Sequence, residues 1–274
     1  MRIAVMTYSI GQQGARYTAD DYIPLIAASG AQGINWVGCC GRNPKELRRR
    51  SLDAGLEPSC YTFAIEKLSF KPGDWHAEIH KHFDEAAALE VPRVMTVPIP
   101  PKNVTDMDEN RRIWHGVIEE MLELSRQSGI VLTIENFQGK GSAFVTSDEL
   151  AETGKAFPEL RFTYDAGNAA TGGEAADHGP RLLGEKIEYV HFKDYTRCLE
   201  GEHSGDHRLL HGRDGGFYYP AVLGKGSLDL AASLKALQAI GYDDWLDVEY
   251  EGAEPAADEG IIAGVKWLRN QLEI

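Results

Sequence analysis

The sequence predicts an α/β fold, a single (β/α)8 barrel spanning residues 1–274 with a long loop after the seventh strand. Three observations carry that expectation. Short runs rich in Val, Ile, Tyr and Phe alternate with longer stretches of helical spacing, eight of each. The length of 274 residues is close to the roughly 250 that such a barrel takes. The turn after the first run, Gly11-Gln12-Gln13-Gly14, matches neither dinucleotide nor phosphate-loop spacing, which disfavours a doubly wound open sheet.

The first strand, over 2–9, has an apolar stretch too short for a signal peptide. Thr18 and Asp20 open a helix over 19–28, and Gly30 follows its end, where a left-handed residue is wanted. A strand over 33–37 leads to a helix over 44–54, entered through Asn43-Pro44 and followed by Gly55. After the strand at 59–65, the helix at 75–89 sets Trp75, Ile79, Phe83, Ala86 and Ala87 on one stripe. The strand at 93–99 is followed by a helix over 109–128 that ends at Gly129. The strand at 131–137 precedes a helix over 147–156, with Thr146-Ser147 before the acidic Asp148 and Glu149. Strand 161–165, helix 176–184 and strand 187–194 follow. Residues 196–227 then form a glycine-rich segment without clear periodicity, expected to be an active-site loop insertion that orders over bound substrate. A helix over 228–240, a strand over 245–251 and a helix over 260–272 complete the chain.

Composition narrows the function. The chain holds 28 basic and 42 acidic residues, a net charge of −14, which repels a phosphate backbone and disfavours nucleic-acid binding. No apolar run approaches the ~18 residues of a membrane span, so no membrane partner is expected and the location is read as cytoplasmic. Cys39, Cys40, Cys60 and Cys198 have no framework spacing and read as reduced thiols.

The chemistry sits at strand ends. Glu135, Asp165, His191 and Glu249 each follow the body of one of the last four strands. Residues two apart share a strand face, so these four group with Thr133, Thr163, Tyr189 and Asp247. Leu132, Ile134, Phe162, Tyr164, Val190, Phe192, Leu246 and Val248 take the opposite face and should meet the helices. The polar set then converges at the catalytic rim. Carboxylates crowded there raise one another's pKa unless a cation joins them. Two Glu, one Asp and one His suit a single divalent ion, Mn²⁺ foremost, with Mg²⁺, Co²⁺ or Zn²⁺ as alternatives; a closed structural zinc site would favour Cys and His.

The motifs L-T-I-E-N-F, F-T-Y-D-A-G-N, Y-V-H-F-K-D-Y-T-R, G-K-G-S-L-D-L and L-D-V-E-Y-E, in that order along essentially the whole chain, resemble the xylose isomerase-like TIM-barrel superfamily of sugar (phosphate) isomerases and epimerases. The resemblance implies that Glu135, Asp165, His191 and Glu249 are metal ligands, with Glu135 and Glu249 doubling as the acid/base pair on opposite faces of a bound ketose. It also implies that Arg197 contacts substrate oxygens and that the protein is a homo-oligomer, a dimer or tetramer. Asn168 stands where many members carry His, and Gly141 where ketose 3-epimerases carry Glu. Both departures argue against a typical ketose 3-epimerase. Asn168 and Lys193, the latter sharing parity with His191, complete the substrate-binding candidates.

Such a site implies isomerase or epimerase chemistry on a small sugar or keto-sugar. A cation between carbonyl and hydroxyl oxygens stabilises the enediolate, one Glu removes the proton and the other returns one to the opposite face. Expulsion of a neighbouring hydroxyl or aglycone would make the same site a lyase, an inosose-type dehydratase or a keto-glycoside-cleaving enzyme. A DNA-repair role like that of endonuclease IV is disfavoured by the charge and by only 9 His. An intact ligand set argues against a non-catalytic sensor.

Weaker signals have plainer readings. His203, His207 and His211 recur every four residues in the long loop and read mainly as a polar segment, with a substrate lid or a second metal site as the alternative. His76 and His80 read as a solvated helix flank, and Trp36 as packing against the shell. No phosphate cradle is visible, which favours an unphosphorylated substrate.

Overall fold

The computed structural model describes residues 1–199, 202 and 209–273. Seven parallel strands run in chain order: β1 (Arg2–Met6), β2 (Gly33–Val37), β3 (Glu57–Phe63), β4 (Arg93–Thr96), β5 (Val131–Glu135), β6 (Arg161–Asp165) and β7 (Ile187–Phe192). Three short strands follow, β8 (Asp194–Cys198), β9 (Leu210–His211) and β10 (Phe217–Ala221), before β11 (Trp245–Val248) pairs with both β7 and β1 and closes the barrel. The (β/α)8 architecture expected from the alternation is the one found.

Element ends differ where local chemistry intervenes. β1 stops at Met6 because Tyr8–Gly11 winds into a helical turn. β4 stops at Thr96, since Pro98, Pro100 and Pro101 cannot donate to a ladder. The first long helix starts at Tyr22 rather than at residue 19, because Asp21 accepts hydrogen bonds from the backbone and hydroxyl of Thr18 and holds a turn there. The helix Ser147–Ala156 has the expected bounds, entered through a Thr146/Glu149 capping box.

Strand parity divides the interior. Leu132, Ile134, Phe162, Tyr164, Val190, Phe192, Leu246 and Val248 all belong to the large core between strands and helices. Inside the barrel lies a smaller apolar floor of Ala4, Met6, Cys60, Met95, Tyr189 and Trp245. At the N-terminal end the buried Arg93 reaches Asp244 at 2.5 Å and Glu188 at 3.3 Å and lies over the Tyr189 ring. Trp36 is buried in the shell, its indole N–H donating to Ser51. The cysteines are unpaired.

The insertion is more regular than its sequence suggests. β10 pairs antiparallel with β8 and with β9, so the described part is a small three-stranded sheet, not an irregular loop. The β-forming run Phe217-Tyr218-Tyr219 after Gly215-Gly216 supplies the returning strand. At its base the buried Asp194 carboxylate accepts the backbone N–H groups of Gly224 and Gly226 at 2.9 and 3.0 Å. A Cβ on Gly226 would sit 2.2 Å from Asp194 Oδ1, so only glycine fits there. His211 packs edge-on against Phe217, whereas His203, His207 and Arg208 lie outside the described residues.

Gly33 begins β2 against the Trp245 indole, where an added Cβ would approach ring carbons to 2.6 Å. Gly33→Ala is therefore expected to destabilise by about 1–3 kcal/mol in urea unfolding. Gly116, exposed in the helix Met107–Ser128 with open space around an added methyl, is the control: Gly116→Ala should stabilise by roughly 0.5–1 kcal/mol.

Candidate metal centre

Glu135 ends β5, Asp165 ends β6, His191 is the fifth residue of β7 and Glu249 follows β11. Register aligns them. Asp165 and Asp247 both stand opposite His191 on its two flanking strands, the first after a register shift between Phe162 and Thr163. Each of the four expected residues offers one ligating atom, and these atoms lie within 4.8 Å of one another. All four are buried.

The surrounding polar groups fix each side chain. Asp165 caps the short helix Ala166–Ala170, its Oδ1 accepting the Asn168 N–H at 2.8 Å. Its backbone is held in turn by Asn136, whose amide bonds both the N–H and the carbonyl of Asp165. His191 turns Nδ1 toward Glu135 at 2.7 Å and Glu249 at 3.3 Å, and Nε2 toward Asp247 at 3.3 Å. Asp247 is itself held by the Asn35 amide and the Tyr189 hydroxyl. Lys193 is buried 3.1 Å from Glu249, 3.3 Å from Glu251 and 3.6 Å from Asp165, and its ammonium also donates to Asn168 Oδ1. Lys193 and Asn168 thus join the cluster. Arg197 does not: half-exposed on β8, it bonds to Asp214 and Tyr218 of the insertion.

Burial raises Asp165 well above the usual carboxylate range, and the charges of Glu135 and Glu249 add to the rise against Lys193. Burial likewise raises Glu135. Burial opposes ionisation of Glu249 too, but the Lys193 ammonium and His191 outweigh it and hold that carboxyl low. Two buried carboxylate oxygens, Asp165 Oδ2 and Glu249 Oε2, have no hydrogen-bond donor among the described residues. Oxygens that accept no hydrogen bond, Asp165 Oδ2 facing only the Lys193 ammonium at 3.6 Å and Glu249 Oε2 only His191 Nδ1 at 3.3 Å, fit a divalent cation in a crowded anionic pocket.

Glu135 and Glu249 both open into a cavity of about 310 Å³ at the C-terminal rim, which Glu251 and Gln138 also line. Asn35, Asn136, Gln138 and Glu251 are site residues that the sequence reading does not single out, whereas Asp247 is placed on the inward face by its parity with Glu249. For Glu251 the same signal exists, since it too shares the parity of Glu249. His76 pairs with Glu120 and His80 is exposed, both on the outer helix, while His82 is the half-buried histidine there, stacked on Phe63.

The rim after β5 is tied to the insertion. Glu149 accepts the N–H groups of Val145 and Thr146 and pairs with Arg111 and Arg213, and Arg213 also bonds the Ser142 carbonyl. Burial raises the Glu149 carboxyl, but these donors prevail and leave it below its ordinary value. Its folded pKa is thus below the unfolded one, so its contribution is present above roughly pH 4.3 and is lost as pH falls through the folded value. Glu149→Gln should cost about 1–3 kcal/mol at pH 7, with the gap to wild type narrowing in acid, as read by denaturation at a series of pH values.

A family description, the xylose isomerase-like TIM barrel, matches residues 25–271. An inosose dehydratase of Lacticaseibacillus casei is 26% identical over 145 residues, 53% of this chain and 48% of the relative, so the match spans about half of that protein's length. Among solved structures, the IolI protein with a bound zinc atom superposes with a TM-score of 0.79 at 16% identity, covering 100% of this chain and 98% of the other. D-psicose 3-epimerase from Clostridium cellulolyticum H10, bound to D-tagatose, gives 0.76 at 14% identity with 100% of both chains covered. An L-ribulose 3-epimerase gives 0.75 at 14% identity, covering 99% of this chain and 94% of the other.

Proposed function

The chain belongs to the xylose isomerase-like TIM-barrel family, and we propose that it is a divalent-metal-dependent isomerase or epimerase acting on a small sugar or keto-sugar. The observation that carries this reading is the convergence of Glu135, Asp165, His191 and Glu249, with two carboxylate oxygens that accept no hydrogen bond among the described residues, beside a cavity that Glu135 and Glu249 line. These four residues would hold the ion, Mn²⁺ by the hardness of the set, through His191 Nδ1 and the carboxylates. When bound, the cation supplies Lewis-acid stabilisation of an enediolate. Glu135 and Glu249, which flank His191 Nδ1 and share the cavity, take and return the proton at the carbon beside the carbonyl. Asn168, whose Nδ2 has no partner among the described residues, and Lys193 meet substrate oxygens. Arg197 would have to leave Asp214 to do so. A cytoplasmic location and a homo-oligomer belong to the same reading. Among the described residues no helix is long and apolar enough to cross a membrane.

A second reading, a lyase expelling water or an aglycone from the same enediolate, is favoured by the local match to an inosose dehydratase. Incubation with keto-sugars in D₂O separates the two. Deuterium at an inverted carbon identifies the epimerase, loss of water or aglycone identifies the lyase, and no exchange in any metal-loaded form defeats both.

His191→Ala should abolish stoichiometric cation binding, measured by metal analysis after dialysis. Asp247→Asn, which leaves the ligands but removes the carboxylate behind His191 Nε2, should weaken binding by about 10- to 100-fold. Unchanged affinity in both variants would remove the histidine from the site. Glu135→Gln and Glu249→Gln should each lower deuterium exchange by at least about 100-fold without loss of fold by circular dichroism, because an amide cannot act as a base.

A further inference from the structure

The cavity beside the four-residue cluster has two unlike sides. One carries Glu135, Glu249, Glu251 and Gln138, whose buried Oε1 has no partner among the described residues. The other, built from β1–β4 and the segments after them, presents Met6, Phe63, Phe70, Val97 and Ile99, with the Tyr8 ring and its hydroxyl beside them. Thr62 also lines it, but its hydroxyl is committed to Asn35 Oδ1 at 2.9 Å. Val97 and Ile99 are only half-buried, and Phe70 is 53% exposed at the mouth, so apolar surface remains open on this side. A free polyol laid across the cavity would turn several hydroxyls onto this wall, where among the described residues Tyr8 and Thr62 are the only lining side chains with a polar atom, and most would lose their water without gaining partners. An alkyl or aryl group would instead remove both its own surface and that of the wall from water.

We propose that the substrate is a hydroxyketone bearing an apolar substituent, its oxygens on the carboxylate side and the substituent against Met6, Phe63, Phe70, Val97 and Ile99. This rests on the reading of the cluster as the reacting centre and names the substrate class of that site. The size agrees: at about 310 Å³ the cavity is at the small end of ligand sites, enough for one ring and its head group. The wall acts as a specificity element, since it favours the substituted ketone over a free ketose of similar size.

The test is calorimetric titration of the Mn²⁺-loaded protein with a matched pair, 2-hydroxyacetophenone and dihydroxyacetone, which share the hydroxyketone and differ in a phenyl or a hydroxymethyl group. The phenyl compound should bind at least about ten-fold tighter. Phe70→Ser and Ile99→Thr, both at positions open to solvent or cavity, should each cut that ratio by at least about three-fold. Dihydroxyacetone binding as tightly, neither compound binding at millimolar concentration, or a ratio unchanged in both variants overturns the proposal. Repeating the titration after chelation, alongside Mn²⁺ binding itself, keeps the two readings apart. Loss of Mn²⁺ binding with the phenyl preference retained counts against the metal-centre reading alone. Mn²⁺ bound without the preference counts against the apolar wall alone.

Discussion

Burying Glu135, Asp165, Asp247 and Glu249 in one barrel mouth is the constraint from which the rest of the structure follows. Carboxylates removed from water are costly unless each is paired, hydrogen-bonded or shared with a cation. Asn35, Tyr189, the Asn168 N–H, His191 and Lys193 answer this demand, and they come from β2, β7 and the turns that follow β6 and β7. The barrel is therefore needed as a whole. A β-strand pair could bring two such groups together, but only a closed sheet sets residues from β2, β5, β6, β7 and β11 around one axis.

The same constraint explains the division of labour between barrel ends. At the bottom, Arg93 pairs through Nη2 with Asp244 and Glu188 and, with the Tyr189 ring and Trp245, closes the interior, while its Nε and Nη1 have no hydrogen-bond partner among the described residues. At the top, Asn168 Nδ2 and Gln138 Oε1 have no hydrogen-bond partner among the described residues, and Asp165 Oδ2 and Glu249 Oε2 accept no hydrogen bond, facing only the Lys193 ammonium at 3.6 Å and His191 Nδ1 at 3.3 Å. Unmet polar atoms of this density belong where a ligand completes them. The packed bottom supplies rigidity to the open top, through strands only four to seven residues long.

Period-two alternation makes the barrel legible in the sequence because each strand is apolar toward the helices and polar toward the axis, so one pattern gives both the element and its facing. The four candidate ligands are legible for the same reason, as polar side chains at the ends of otherwise apolar runs. Asn136 is not, because its role depends on the backbone of Asp165, 29 positions away, and no local pattern carries that. The insertion reads as irregular because its strands pair across residues 198–217, and antiparallel partners far apart leave only weak local signals. Resemblance puts Arg197 on the substrate, whereas its neighbours Asp214 and Tyr218 lie in that unforeseen sheet and its turn.

The Asp194 carboxylate, which gathers the N–H groups of Gly224 and Gly226, has a consequence for how this barrel tolerates change. It brings the two ends of a stretch of about thirty residues to within one side chain of each other, at a point already anchored to the barrel. Loop closure costs grow only slowly with length once the ends are fixed. The segment behaves as a cassette whose stem is set by one aspartate and one obligatory glycine, so its outer turns can lengthen, shorten or be exchanged while the strand carrying His191 keeps its register.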